Sequence, residues 1–228
     1  MKNSTRSFDQ LSLVTTIAIG LCTLFWSLSI NAQGQHFNPK GKQPSEFTRE
    51  IQAQLRQSLP FEDQRDFEES RRGFIAEPDY RQILGAQGNI VWDMTRYDFL
   101  LDGNDYDSIH PSLQRQATLN MNYGLYEVVP GFLYQVRGFD VSNLTLVRGD
   151  TGWILFDVLL ASETAEAALA LANQHLGELP VKAVVYSHSH IDHFGGVRGV
   201  INAEDVRNGD VQVYAPSGFM AEAIAENV

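Results

Sequence analysis

The chain has 228 residues, of which 43% are hydrophobic and 20% charged, a composition that excludes an intrinsically disordered protein. Its 17 basic and 28 acidic residues give a net charge of −11, so we expect no nucleic-acid partner. The single cysteine, Cys22, excludes a disulfide within the chain.

The first 32 residues have the pattern of a secretory signal peptide. Lys2 and Arg6 form a basic start, Leu11–Ile30 is strongly apolar, and Ala32 is a small residue suited to a cleavage site. An uncleaved membrane anchor is the alternative, because roughly 20 apolar residues can also span a bilayer. In both cases the sequence predicts that the rest of the chain is periplasmic or secreted.

Residues 33–122 are predicted to form a linker followed by an N-terminal extension that is mainly irregular and helical. A polar stretch with prolines and a glycine marks the linker. Glu46–Leu59 then repeats apolar residues at four-residue spacing, which predicts a short amphipathic helix that ends before Pro60. The following segment is rich in charges and turns, and we expect it to wrap over the surface of the next domain.

Residues 123–228 have the pattern of a layered α/β domain. Four short apolar runs between glycine turns predict an antiparallel meander, over Tyr126–Val129, Phe132–Val136, Asn143–Val147 and Trp153–Phe156. A helix capped by Ser162 and stopped by Gly177 follows, and then a buried strand over Val181–Tyr186. Three further elements are predicted: a helix from about Gly195–Gly196, a strand over Val211–Tyr214 and a helix from Ser217 to Val228.

The residues with a clear chemical signal directly follow that buried strand, in the run Ser-His-Ser-His-Ile-Asp-His from Ser187. Because side chains alternate in an extended segment, His188 and His190 point to one side and can reach one metal ion. Asp192 and His193 come at the bend into the next helix and can face a second ion. Imidazole and carboxylate suit zinc, and a catalytic zinc site keeps one position open for water.

Two simpler interpretations of the cluster are a surface patch and a structural metal site. A structural zinc site usually closes with four protein ligands, often cysteines, and the run contains none. The catalytic interpretation is therefore favoured.

The spacing His-x-His-x-Asp-His after a hydrophobic strand resembles the signature of the metallo-β-lactamase superfamily, whose fold is an αββα sandwich. The resemblance implies that His188 and His190 bind one zinc ion, and that Asp192 and His193 bind a second. It implies a catalytic role for Asp192 and a water molecule activated by both ions. It also implies that Asp157 supports the ligand loop, although by itself Asp157 is equally a turn residue.

A longer likeness, from about Phe61 to Val228, resembles the secreted alkyl sulfatases of this superfamily. It implies a homodimeric dizinc hydrolase of sulfate esters of long-chain primary alcohols, such as dodecyl sulfate. The matching stretches are Phe67–Ala76, Val91–Asp93, Pro111–Leu113, Gly124–Gly131, Tyr134–Asn143 and Val184–Val200.

The family pattern also implies ligands downstream of His193, namely two glutamates and a histidine. Only 35 residues follow His193 and none is a histidine. We therefore expect an N-terminal fragment with the first half of the sandwich, incomplete zinc ligation and little turnover by itself. Its substrate-binding residues are not identified. The alternatives are another hydrolase of this fold, such as a lactonase or thioesterase, and a secreted metal-binding fragment without catalysis.

Overall fold

The computed structural model describes residues 43–227, so the predicted signal or anchor segment, Cys22 and most of the linker lie outside the described part. The chain divides into two units, residues 1–49 and residues 50–228. Of the first unit, the described residues form the beginning of helix α1 (Glu46–Ser58), which agrees with the predicted amphipathic helix. No helix within residues 43–227 has both the length and the apolar character needed to cross a bilayer.

The extension contains more strand than the sequence predicted. Its elements are α2 (Arg65–Ser70), β1 (Phe74–Ala76), β2 (Gln82–Leu84), β3 (Ile90–Asp93), a 3-10 turn (Asp98–Leu101) and α3 (Pro111–Leu119). The strands β2 and β3 form a separate antiparallel pair, whereas β1 joins the edge of the main sheet. The ring of Phe74 packs edge-on against Tyr126 with centroids 5.5 Å apart, which holds β1 beside its partner strand.

Besides β1, the main sheet contains β4 (Gly124–Val129), β5 (Leu133–Arg137), β6 (Leu144–Arg148), β7 (Trp153–Phe156), β8 (Val181–Val185) and β9 (Gln212–Tyr214). In the described part of the chain these seven strands lie in the order β1-β4-β5-β6-β7-β8-β9. The strands β4 to β7 pair antiparallel, as the predicted meander requires, and β7, β8 and β9 pair parallel.

Helices make the two parallel crossovers. Helix α4 (Ser162–Leu176) links β7 to β8 and ends at Gly177, whose φ of 89° suits a glycine stop. Two 3-10 turns (Ile191–His193 and Gly195–Gly199) and α5 (Ala203–Asn208) link β8 to β9, and α6 (Phe219–Asn227) follows. The predicted helix near Gly195 is therefore a 3-10 segment.

The core lies between the sheet and α4. Trp153 and Leu155 of β7 and Leu171 of α4 are buried there, and the Trp153 indole donates to Asn173 Oδ1 at 2.8 Å. Burial of one such side chain stabilises the fold by about 1.5–3 kcal/mol.

No side chain from the first residues of α4 caps the start of that helix. Ser162 is the first helical residue and gives no side-chain cap, so the predicted capping role is wrong. The buried carboxylate of Asp140 accepts hydrogen bonds from the amides of Leu160 and Ala161 and from the Thr164 hydroxyl. A carboxylate near a helix start satisfies free amides and complements the helix dipole.

Candidate metal centre

The predicted ligands lie where two parallel strands end. Phe156 at the end of β7 pairs with Val185 at the end of β8, so the segments that follow both strands leave the sheet at one edge. Open α/β sheets bind ligands at the carboxyl ends of their strands. The sheet thus brings Asp157, after β7, beside the run Ser187–His193, after β8.

His188 and His190 come together as the spacing predicts. His188 Nε2 and His190 Nδ1 are 3.0 Å apart, and the ring centroids are 4.7 Å apart at an angle of 77°. Two nitrogen ligands of one tetrahedral zinc ion, each about 2.0–2.1 Å from it, lie about 3.3 Å apart. A small increase in the distance between these two nitrogen atoms would therefore let both bind one zinc ion.

Asp192 and His193 form the second pair. Asp192 Oδ2 is 3.3 Å from His193 Nε2, and the His193 ring lies 4.0 Å from that of His188, centroid to centroid. Within residues 43–227, no group of three or more His, Cys, Asp or Glu side chains is arranged to hold a metal ion. The donor atoms come instead as two adjoining pairs, an arrangement that leaves positions open on each side.

The Asp157 carboxylate contacts both ends of the ligand run, at Ser187 and at His193. Its Oδ2 lies 2.8 Å from His193 Nδ1 and accepts from Ser187 Oγ at 2.7 Å, while Oδ1 accepts from the Ser187 amide at 2.8 Å. The φ of Asp157 is +54°, in the left-handed region that few non-glycine residues adopt. Such a conformation persists where its surroundings fix it, often at functional sites.

These contacts fix the proton positions on two histidines. A carboxylate only accepts, so Ser187 must donate its hydroxyl proton to Asp157 and accept from His188 Nδ1, 2.9 Å away. By the same reasoning His193 donates from Nδ1 to Asp157. Both histidines therefore carry the proton on Nδ1 and present an unprotonated Nε2, the arrangement that metal-binding histidines need.

Two glycines allow the ligand run to pack directly on the segment after β7. A Cβ at Gly196 would lie 2.2 Å from the Val158 carbonyl oxygen, and one at Gly195 would lie 2.5 Å from that of Leu160. The Val158 amide in turn donates to the His193 carbonyl at 2.9 Å. The two segments therefore form one close-packed unit.

Three contacts of the ligand run were not predicted from the sequence. The Ser142 hydroxyl donates to the Asp192 carbonyl, Ser187 relays between Asp157 and His188, and Glu226 accepts from Ser189 Oγ at 2.9 Å. Ser187 stands inside the recognised run, and its hydroxyl was a usable signal. Ser142 and Glu226 carry no spacing that reveals a partner so far away in the chain.

Solvent reaches the two sides of the cluster unequally. The side chains of Asp157 and His193 are 16% and 21% exposed, whereas that of His190 is 64% exposed. The cluster is therefore shielded from solvent on the side of Asp157 and His193 and accessible to solvent beside His190.

Comparison with known proteins relates this part of the chain to a known superfamily. Residues 137–226 match the family model of the metallo-beta-lactamase superfamily. This part of the chain is similar to that superfamily, and the sheet and helices described above have its fold.

Three similar proteins are alkyl or alkyl/aryl sulfatases. The chain is 51% identical over 187 residues to an (R)-specific secondary-alkylsulfatase of Pseudomonas sp. It is 44% identical over 202 residues to a linear primary-alkylsulfatase of Pseudomonas sp, and 43% identical over 186 residues to the alkyl/aryl-sulfatase BDS1 of Saccharomyces cerevisiae. These alignments cover 82–88% of this chain but only 28–30% of the relatives, so the chain spans less than a third of their length.

A solved alkylsulfatase structure is also similar to this chain. The stereoselective inverting sec-alkylsulfatase Pisa1 from Pseudomonas sp. superposes with a TM-score of 0.77 at 52% identity, over 82% of this chain and 29% of that chain.

Proposed function

We propose that the protein hydrolyses sulfate esters of alkyl alcohols at a metal centre to which this chain contributes His188, His190, Asp192 and His193. The observation that carries the proposal is the convergence of these four side chains at the ends of β7 and β8. The alkylsulfatase relatives supply the reaction class.

The donor atoms suit two zinc ions. His188 Nε2 and His190 Nδ1 would hold one, and His193 Nε2 with the Asp192 carboxylate would hold the other; imidazole and carboxylate are common zinc ligands. When bound, the ions would supply Lewis acidity and a water molecule acidified to near neutral pKa. Asp157 and Ser187 keep the histidine protons on the far nitrogens, and Asp192 adds a carboxylate that can accept a hydrogen bond from the reacting water.

The finer substrate proposal is a long-chain primary alkyl sulfate such as dodecyl sulfate. It rests on the motifs that resemble secreted alkyl sulfatases, and on one relative named a linear primary-alkylsulfatase. Another relative is named for secondary alkyl sulfates, so the test must include both classes. Homodimer formation rests on the family resemblance. Export rests on the pattern of residues 1–32, which lie outside the described part of the chain.

The test is a substrate panel with the zinc-loaded protein that the complete gene encodes. Sulfate release is measured by ion chromatography from dodecyl sulfate and a secondary octyl sulfate, beside a lactone and a thioester as alternative substrates. We expect sulfate release, with dodecyl sulfate the better substrate. Hydrolysis of the lactone or thioester alone, or zinc binding with no hydrolysis of any ester, would contradict the proposal.

A further inference from the structure

Helix α6 lies across the ligand run and contacts it at both ends. At its start, the Phe219 ring stacks on Tyr186, with centroids 5.4 Å apart, and meets Phe194 edge-on at 5.2 Å. These two aromatic residues flank the ligand run on either side in the sequence. At the other end of the helix, Asn227 Nδ2 donates to the Ser189 carbonyl at 3.3 Å. The helix is therefore docked on the segment that carries the histidines.

This docking places one carboxylate beside the exposed histidine of the ligand run, His190. Glu226 Oε2 accepts from Ser189 Oγ at 2.9 Å and lies 4.0 Å from His190 Nε2. The other nitrogen of that ring, Nδ1, faces His188 Nε2 at 3.0 Å. His190 thus presents Nδ1 to the centre and Nε2 to the carboxylate.

A metal-binding histidine must lose the proton from the coordinating nitrogen and carry it on the other one. In proteins that second nitrogen almost always donates to a carboxylate, a carbonyl or a water. His188 and His193 reach Asp157 in this way, one through Ser187 and one directly. For His190, Glu226 is the carboxylate beside Nε2. A bridging water or a small side-chain rotation would span the 4.0 Å separation.

We infer that Glu226 is the positioning residue of His190. It favours the form with the proton on Nε2, in competition with a hydrogen bond from Nδ1 to His188 Nε2, and so frees Nδ1 for zinc. The inference rests on the proposed metal centre and deepens it. It gives the exposed histidine a partner of its own, supplied by α6 and independent of Asp157.

The test compares zinc affinity and the His190 proton position in the protein that the complete gene encodes and in four variants of it. The probe is zinc chloride, titrated by chelator competition, and 15N-histidine NMR reports which ring nitrogen carries the proton. We expect E226A to weaken zinc binding about 10–100-fold and to lose the Nε2-protonated form. E226Q keeps an acceptor oxygen and should retain most of both.

The controls separate orientation from docking. Glu222 is exposed one turn earlier on α6, so E222A should bind zinc like the unmodified chain. N227A removes the helix contact with the Ser189 carbonyl but leaves the carboxylate, and should keep the His190 proton on Nε2. Equal losses in N227A and E226A, or unchanged binding in E226A, would overturn the inference. If the unmodified protein of the complete gene bound no zinc, the proposed function would fail instead.

Discussion

Asp157 and His193 are 36 residues apart in the chain, yet Asp157 Oδ2 lies 2.8 Å from His193 Nδ1. The contact joins the ends of two adjacent parallel strands, β7 and β8. Through Ser187 the same carboxylate also orients His188. Asp157 therefore orients one histidine of each proposed zinc pair. We therefore expect the proposed metal centre to depend on Asp157 as well as on the residues that would touch the metal.

The substitution D157N tests this dependence. Asparagine tolerates the left-handed backbone of residue 157, so the change removes the charged acceptor without adding backbone strain. We expect zinc affinity, measured by chelator competition, to fall about 10–100-fold. Asp150 lies exposed in the turn before β7, and D150N should leave the affinity unchanged. Equal affinities for D157N and the unmodified chain would rule out the orienting role.

The Ser187 relay predicts a difference between two substitutions. S187A removes the hydroxyl that accepts from His188, and zinc affinity should fall about tenfold because the ring loses its orienting partner. S187T keeps the hydroxyl, and residue 187 is exposed enough to accept the added methyl group. Threonine should therefore restore the affinity. A loss of the same size in both variants would show that the hydroxyl is not what matters.

The substitution G196A should be destabilising, because Gly196 packs directly on the segment that follows β7. A Cβ there would lie 2.2 Å from the Val158 carbonyl oxygen and 2.7 Å from that of Ala161, so the segments must move apart. Overpacking of this kind costs about 1–3 kcal/mol of the free energy of unfolding, measured by urea denaturation. Q174A, at an exposed position of α4, should change it by less than about 0.5 kcal/mol. Unaltered stability in G196A would contradict the packing described.

Stability should fall in alkaline solution, partly because of Tyr126. Burial raises the pKa of its phenol above the ordinary value of 10.0, an effect that Arg137 opposes. The unfolded chain therefore ionises first as the pH rises above about 10, which favours unfolding. Below that pH both states are neutral and the effect is absent. Urea denaturation at neutral and alkaline pH should show that Y126F loses less of its free energy of unfolding in alkali than the unmodified chain does. An identical loss in both would contradict the role of Tyr126.

Local patterns predicted much of the fold. The meander and α4 follow from apolar runs, glycine turns and helical spacing, which are properties of neighbouring residues. The strands of the extension escaped prediction because β1 and β2 have only three residues each, too few for an alternation. The pairing of β1 depends on Tyr126, about fifty residues later, and no local signal specifies it.

The site divides in the same way. His188, His190, Asp192 and His193 stand in one short run, so their proximity could be predicted from spacing. Their supports come from elsewhere in the fold: the contact of Ser142 with Asp192 spans 50 residues, and that of Ser189 with Glu226 spans 37. Only the strand order and the docking of α6 bring those partners together, which is information that spacing does not contain.

We propose that sulfate ester hydrolysis depends on this histidine cluster. The most direct measurement is zinc-dependent sulfate release from dodecyl sulfate by the protein of the complete gene, with and without the paired substitution H188A/H190A. H175A, an exposed histidine of α4, serves as the control. We predict sulfate release by the unmodified protein and by H175A, and a loss of at least about a thousandfold in the paired variant. Undiminished sulfate release by H188A/H190A would contradict the account.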